Sequence, residues 1–291
     1  MQVLLFGSNG VLGQGIADAL VKSGHDVVAT ARSEQVAQAA SAVGRRAVAV
    51  DLTSPSSVAG AVRGVDAVVV QIPSTLSDDA SLAFADVVSA GLSLWPGRVL
   101  LLTAVVVPPE PVGVSRADAR LKAVEMFRQR IPHVTVVTAT QFLENFSQGL
   151  RQAIEYGVLP YCVPADAPVA WLALDDYAEL VARIVGDDAL VGQRIDLGGA
   201  EAITGPELAG VVGDALGRRV TYQFVPPEGF AAQLAPYVGA DVAAQISDLV
   251  HWSTGAGAPI ATPAVEAVFA RLGYRPLTVE AWAERAFGRP V

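Results

Sequence analysis

Cysteine, lysine and histidine are scarce in this chain of 291 residues. With one cysteine, Cys162, no internal disulfide can form, which fits a reducing compartment. Lysine occurs only as Lys22 and Lys122, and 20 Lys+Arg stand against 29 Asp+Glu for a net charge of −9. Such a chain lacks the clustered cations that displace counterions from nucleic acid. A small anionic ligand stays open, because a few arginines in one pocket suffice to hold it. No His/Cys/Asp/Glu group falls at metal-ligand spacing, so no metal is expected, and no G-x-S-x-G nucleophile element occurs. Long apolar runs are missing too. The longest, Val99 to Pro109, is about half a bilayer span. The opening MQVLLFGSNG has no basic segment, and its apolar run breaks at Gly7, unlike a signal peptide. These absences lead to the expectation of a soluble, cytoplasmic protein that engages neither membrane nor nucleic acid.

What is present is ample apolar material: 52% hydrophobic against 17% charged residues, enough for one large domain or two modest ones. The first half alternates regularly. Strand candidates Gln2–Phe6, Asp26–Thr30, Arg46–Val50, Asp66–Val70, Arg98–Thr103 and Val134–Thr138 are separated by helical patterns at Val11–Ser23, Ser33–Val43, Pro55–Val62, Ser77–Leu92 and Ser115–Arg130. The strands are short, valine-rich and apolar on both faces, as buried parallel strands are. Strand–helix alternation implies right-handed crossovers and a doubly wound α/β sheet, whose ligand crevice lies at the carboxyl ends of the strands. From about Gln141 helices dominate: Phe142–Glu155, Leu174–Val185, Gly205–Leu216, Pro227–Tyr237, Thr262–Leu272 and Thr278–Phe287, with strands expected at Gln193–Leu197 and Val220–Phe224. The expected organisation is a nucleotide-binding domain over residues 1–140 and a smaller, mainly helical substrate lobe over 141–291. The boundary is approximate, and the sheet is free to recruit strands from the second part.

The residues Gly7-Ser8-Asn9-Gly10-Val11-Leu12-Gly13 spell G-x-x-G-x-x-G between a strand and a helix, the context in which the motif binds a dinucleotide. Glycine permits the sharp turn and lets a pyrophosphate approach the backbone, while the helix N-terminus offers free N–H groups and a favourable dipole. A preference for NAD(H) is usually set by an acid at the end of the second strand. Here that tip reads Ala31-Arg32-Ser33. Arg32 is suited to a charge-assisted contact with a 2′-phosphate and Ser33 to a further hydrogen bond, so NADP(H) is expected over NAD(H). Asp51 and Leu52, after the third strand, are placed for the adenine edge, with Asp51 equally able to cap the helix at Pro55. Gln71, Ile72 and Pro73 follow the fourth strand and Thr103 the fifth, where loops line a dinucleotide. Gln141, Phe142 and Asn145 follow the sixth and are expected to line a substrate pocket. Lys122 reads either as a contact to the nicotinamide end that stabilises charge on the acceptor, or as a surface lysine paired with Glu125. His25 and His133 precede strands and read as surface turns. His251 is a weak candidate for reaching substrate, and Asp175 and Asp176 read as helix caps.

Taken together these residues resemble the NmrA-like group of atypical short-chain dehydrogenases/reductases. Besides GSNGVLG, the resemblance rests on Lys122-Ala123-Val124-Glu125 (K-x-x-E), on the strand and F-x-E-N-F-like segment Thr138–Phe146, on the Trp171–Ala178 stretch, and on the C-terminal elements Gly192–Leu197, Thr204–Leu216 and Thr278–Trp282. It spans nearly the whole chain, with one departure at Asn9, where Ala or Thr is commoner. It implies a Rossmann domain with a small helical lobe, NADP(H) as cofactor, Lys122 as the catalytic contact and a small-molecule substrate. Members include quinone and dye reductases, and also non-catalytic redox sensors that regulate a protein partner. None of the six tyrosines has lysine four residues on, so the Tyr-x-x-x-Lys pair that interconverts alcohols and ketones is missing, which disfavours an epimerase or dehydratase. The chemistry must lean on cofactor hydride and positioning. The expected function is therefore an NADP(H)-dependent oxidoreductase acting on a quinone-like or conjugated acceptor, with a dinucleotide-sensing regulator as the alternative.

Overall fold

Valine and leucine on both faces of a strand need cover on both sides, and the computed structural model, which describes residues 1–42, 46–255 and 265–287, supplies it. The strands β1 (Gln2–Phe6), β2 (Asp26–Ala31), β3 (Ala47–Ala49), β4 (Ala67–Gln71), β5 (Arg98–Leu102), β6 (Thr135–Ala139) and β8 (Arg194–Leu197) form one sheet in the order β3-β2-β1-β4-β5-β6-β8. Registers such as Leu4↔Val28, Leu4↔Val68, Val69↔Leu100 and Leu101↔Val136 run parallel. The Val136 and Thr140 amides donate to the Gln193 and Leu197 carbonyls, advancing equally along β6 and β8, which is also a parallel pattern. The sheet is thus a doubly wound α/β sheet of the Rossmann type, and its order reverses between β1 and β4. That switch point is where such sheets bind ligands.

The helices of the first half are α1 (Val11–Lys22), α2 (Glu34–Ala42), α3 (Pro55–Ala61), α4 (Asp78–Leu92) and α5 (Ser115–Arg130). Their starts follow sequence chemistry. Ser54 caps α3 with Pro55 in its first turn, and Ser77 caps α4 ahead of Asp78 and Asp79. Val43, the last residue expected in α2, lies outside the described residues. The later helices are α6 (Ser147–Tyr156), α7 (Leu174–Gly186), α8 (Gly205–Leu216), α9 (Pro227–Val238), α10 (Ala240–Thr254), α11 (Glu266–Leu272) and α12 (Val279–Phe287). Residues 262–264 of the helix expected at Thr262–Leu272 are likewise outside the described residues. Three elements among the described residues were not foreseen: α10, the 3-10 turn Asp188–Leu190, and the strand β7 (Val158–Tyr161), which pairs in parallel with β9 (Thr221–Phe224). The expected helix Phe142–Glu155 is split into a 3-10 turn, Leu143–Phe146, followed by α6.

The chain forms two compact units. One comprises Met1–Glu110, Asp118–Thr138 and Tyr177–Ile195; the other comprises Pro111–Ala117, Ala139–Asp176 and Asp196–Val291. The first packs Phe6, Val70, Leu101, Val124, Phe127 and Val136 around the sheet. The second is centred on aromatic side chains, with Phe146 against Tyr161 and Trp171 at 4.5 and 5.0 Å between ring centroids, and Tyr161 edge-on to Phe230 at 5.1 Å.

Candidate functional site

At the switch point the glycine loop leaves β1 and enters α1. Gly7 has φ +86°, in the left-handed region, and a side chain there would lie 3.2 Å from the Gln71 Cβ on β4. A Cβ at Gly13 would come within 2.0 Å of the Gly7 carbonyl oxygen, so only glycine lets α1 pack this close to the loop. Gly10 differs: it is the N-cap of α1, and a Cβ there meets nothing within 4 Å. No side chain caps α1 and no acid occupies its first turn, so its first N–H groups have no side-chain partner at the N-cap. Asn9, Gly10 and Val11 are exposed, Leu12 half-buried and Ser8 buried.

Two polar atoms sharpen this picture. The Ser8 Oγ and the Gln71 Oε1 are buried and have no hydrogen-bond partner among the described residues. Orphaned buried polar atoms are costly and mark sites completed by something else. A dinucleotide fits these features. Its pyrophosphate would be held by the α1 N-terminus and the Ser8 hydroxyl, and Gly10 leaves room for it.

The neighbouring strand ends contribute in turn. Arg32, just past β2, is exposed and makes no hydrogen bond or ion pair among the described residues, so its guanidinium is available to a 2′-phosphate. Ser33 is committed locally, its Oγ accepting from the Val36 amide at 3.3 Å to cap α2. Asp51 accepts from the Thr53 hydroxyl and amide at 2.7 and 2.9 Å, which hold its carboxyl below the usual range. Ser54, not Asp51, caps α3. Leu52 is an exposed apolar side chain beside it, suited to a base edge. Ile72 is fully buried, and the Pro73 carbonyl accepts from Arg120 at 3.3 Å. Thr103 is buried, its Oγ1 donating to Val105 O at 2.7 Å across Ala104, whose φ of 54° is the one positive value at a non-glycine residue among those described. Such strain collects at functional turns.

Lys122 is exposed, which leaves both readings of it open. The buried face of α5 carries Arg116, Ala117, Arg120, Ala123, Val124 and Phe127, at helical spacing, while Lys122 and Glu125 are exposed. The cation tied to the Gln71–Pro73 loop is therefore Arg120. Arg116 and Arg120 share the phase of the buried apolar residues of α5, which is legible from their spacing.

In the second unit, Gln141, Asn145 and Tyr161 form one hydrogen-bonded group. The Tyr161 hydroxyl donates to Gln141 Oε1 at 3.2 Å, and the Asn145 Nδ2 reaches the same oxygen at 3.5 Å. Tyr161 was not foreseen beside Gln141 and Asn145, because no motif marks it. Phe142 is buried, and a backbone bridge joins it to Leu172, so its ring belongs with the core.

Asp175 and Asp176 make structural contacts. Asp176 does not act as a helix cap: it accepts from the Tyr274 hydroxyl and from the Leu277 amide, fastening the segment before α12. Burial pushes its carboxyl up. Asp175 pairs with Arg285. Glu144 accepts from the Leu174 amide and the Trp282 indole, and burial pushes it up as well. His251 is exposed in the last turn of α10, and the His133 Nε2 lies 3.1 Å from Gly97 O. Among the described residues no group of three His, Cys, Asp or Glu side chains can hold a metal, and no helix is long and apolar enough to cross a membrane.

A family model described as NAD(P)H-binding matches residues 7–145, and one described as the NmrA-like family matches residues 118–283, more than half of the chain. The chain is 24% identical over 234 residues to quinone oxidoreductase 2 of Escherichia coli strain K12, covering 80% of each protein. The structure of the NADPH-dependent quinone oxidoreductase of E. coli complexed with NADPH superposes with a TM-score of 0.76 at 20% identity, covering 98% of this chain and 99% of that one. Triphenylmethane reductase of Citrobacter sp. gives 0.81 at 16% identity, over 99% and 100%. A nucleoside-diphosphate-sugar epimerase of Staphylococcus aureus gives 0.80 at 17%, over 98% and 100%, so the fold is shared beyond reductases.

Proposed function

The chain belongs to the NmrA-like family, and from that premise we propose that it is an NADP(H)-dependent oxidoreductase passing hydride to a quinone-like or other conjugated small-molecule acceptor. The observation that carries the proposal is the uncapped α1 N-terminus with open space at Gly10, beside the orphaned Ser8 Oγ and Gln71 Oε1. Bound there, NADPH supplies the hydride. The chain's own residues bind and orient. The α1 N–H groups and Ser8 hold the pyrophosphate, Arg32 takes the 2′-phosphate, and Leu52 borders the adenine. Arg120 fixes the Gln71–Pro73 loop through the Pro73 carbonyl. Positioning of this kind accelerates reaction by holding reactants in register.

The acceptor class is supported by what the chain lacks. The chain lacks the Tyr-x-x-x-Lys spacing that activates a tyrosine to protonate an alkoxide. An electron-poor conjugated acceptor needs less of that help. The names of the relatives, a quinone oxidoreductase and a triphenylmethane reductase, point the same way. The test is NADPH consumption with 1,4-naphthoquinone and with a triphenylmethane dye. Turnover with either supports the reading. Tight NADPH binding without turnover on any conjugated acceptor would overturn it in favour of a dinucleotide sensor.

A further inference from the structure

The second compact unit carries a small sheet in which β7 and β9 run parallel. A two-stranded pair is marginal by itself, and parallel strands normally lie inside larger sheets. One edge of β9 is spent on β7: the Thr221 and Val225 amides donate to the Gly157 and Tyr161 carbonyls at 2.9 and 2.8 Å. Successive residues of a strand turn their N–H and C=O groups to opposite sides, so those of Tyr222 and Phe224 face the other edge. There these backbone groups have no partner among the described residues. Thr221, Gln223 and Phe224 are exposed along that strand. So are Ile154 and Tyr156 at the end of α6, which leads through Gly157 into β7. An open strand edge beside exposed apolar side chains is a template for another strand.

We propose that this edge pairs with β9 of a second copy of the chain, antiparallel about a two-fold axis at Gln223. The edge is self-complementary. A two-fold axis across it makes an isologous, antiparallel contact. With Gln223 on the axis, Tyr222 of each copy lies opposite Phe224 of the other. In that register both outward-facing residues form hydrogen-bonded pairs, and each pair exchanges its N–H and C=O groups. Every backbone group that β7 leaves over on β9 is then used. The Tyr222 and Phe224 rings fall on one face, where a cross-strand aromatic pair covers the exposed Phe224. Charge fits the same register. The Arg218-Arg219 start of one strand meets the Glu228 end of the other, and symmetry repeats the match. Arg219 and Glu228 are exposed and form no ion pair among the described residues. Pairing consumes the edge on both copies, so the assembly closes at two chains.

Sedimentation velocity of the full chain at increasing concentration reads the assembly, and the expected species has twice the 30.1 kDa mass of the chain. Cysteine cross-linking reads the register, undisturbed by the buried Cys162. Gln223 is exposed, and its side chain makes no hydrogen bond among the described residues, so it tolerates substitution. It meets its own copy in a non-hydrogen-bonded pair, the closer kind. Gln223→Cys is therefore expected to form an intermolecular disulfide under mild oxidation. Thr221→Cys lies opposite Val225, away from its own copy, and is expected to cross-link at least about tenfold less. Arg219→Glu and Glu228→Arg are each expected to weaken the dimer about tenfold, and the double variant to restore it. A chain that stays monomeric would overturn the proposal. So would a dimer in which Gln223→Cys cross-links no better than Thr221→Cys, since the copies would then meet through another face.

Discussion

Gly10 and Gly13 are three residues apart in one motif, yet they answer to different constraints. At Gly13 a methyl group would collide with backbone at 2.0 Å, so Gly13→Ala is expected to cost roughly 1–3 kcal/mol of stability, read by chemical denaturation, as overpacking does. At Gly10 the space is empty, so Gly10→Ala is expected to change stability by no more than about 1 kcal/mol, the size of an N-cap effect, while clearly weakening NADPH binding. If both variants lose stability and cofactor in proportion, the space at Gly10 is not a ligand's space. Arg32 makes the parallel case for the 2′-phosphate. Arg32→Ala is expected to weaken NADPH by about 1–3 kcal/mol and leave NADH nearly unchanged, measured by titration calorimetry. At this scale the glycine loop was legible, because its spacing directly follows a strand. Sequence leaves Lys122 open between a nicotinamide contact and a surface position, because one sequence does not show which phase of α5 borders the site; in the structure its side chain is exposed. On the exposed face of α5, Lys122→Ala is expected to leave turnover within about twofold, and a loss beyond tenfold would bring the lysine back into the site.

Elements were legible where local chemistry is strong and opaque where pairing is distant. The capping box of Thr204 and Glu207 starts α8 at the expected residue. By contrast β7 contains Pro160, which argues against a strand, and it pairs only with β9, some sixty residues away. The α7 start illustrates a second limit. Asp175 and Asp176 read as caps from sequence, but Asp176 is spent on Tyr274 and Leu277, which no local pattern can announce. This use has a pH consequence. Burial raises the Asp176 carboxyl in the folded state, so the native form binds its proton more tightly than the unfolded chain. Its contribution to stability is complete below the ordinary aspartate value and is lost as pH rises through the raised folded value. Asp176→Asn removes that dependence. The variant is therefore expected to gain stability relative to wild type as pH increases from acid toward neutral in denaturation experiments. A difference that stays constant with pH would contradict the raised carboxyl.

For the whole molecule, the sheet order decides more than any single contact. Reversal between β1 and β4 puts the Gly7 turn beside Gln71, joining two loops that the sequence separates by more than sixty residues. The alternation of strands and helices made this sheet legible in advance, and recruitment of β8 from the second half completes it. What sequence left obscure was how the chain distributes itself between its two compact units, because that depends on long-range packing of residues such as Trp171 and Tyr161, not on local pattern. A ligand bound only by the folded form stabilises it, so NADPH at about 100 times its Kd is expected to add about 2.7 kcal/mol and raise the unfolding temperature.

In the proposed function the open end of α1 and Arg32 together hold a phosphorylated nicotinamide dinucleotide. Calorimetric titration of cofactor-free protein with NADPH and with NADH tests it most directly. The expected result is one NADPH per chain, bound about tenfold or more tightly than NADH. Binding of neither cofactor, or of both with equal affinity, would contradict the account.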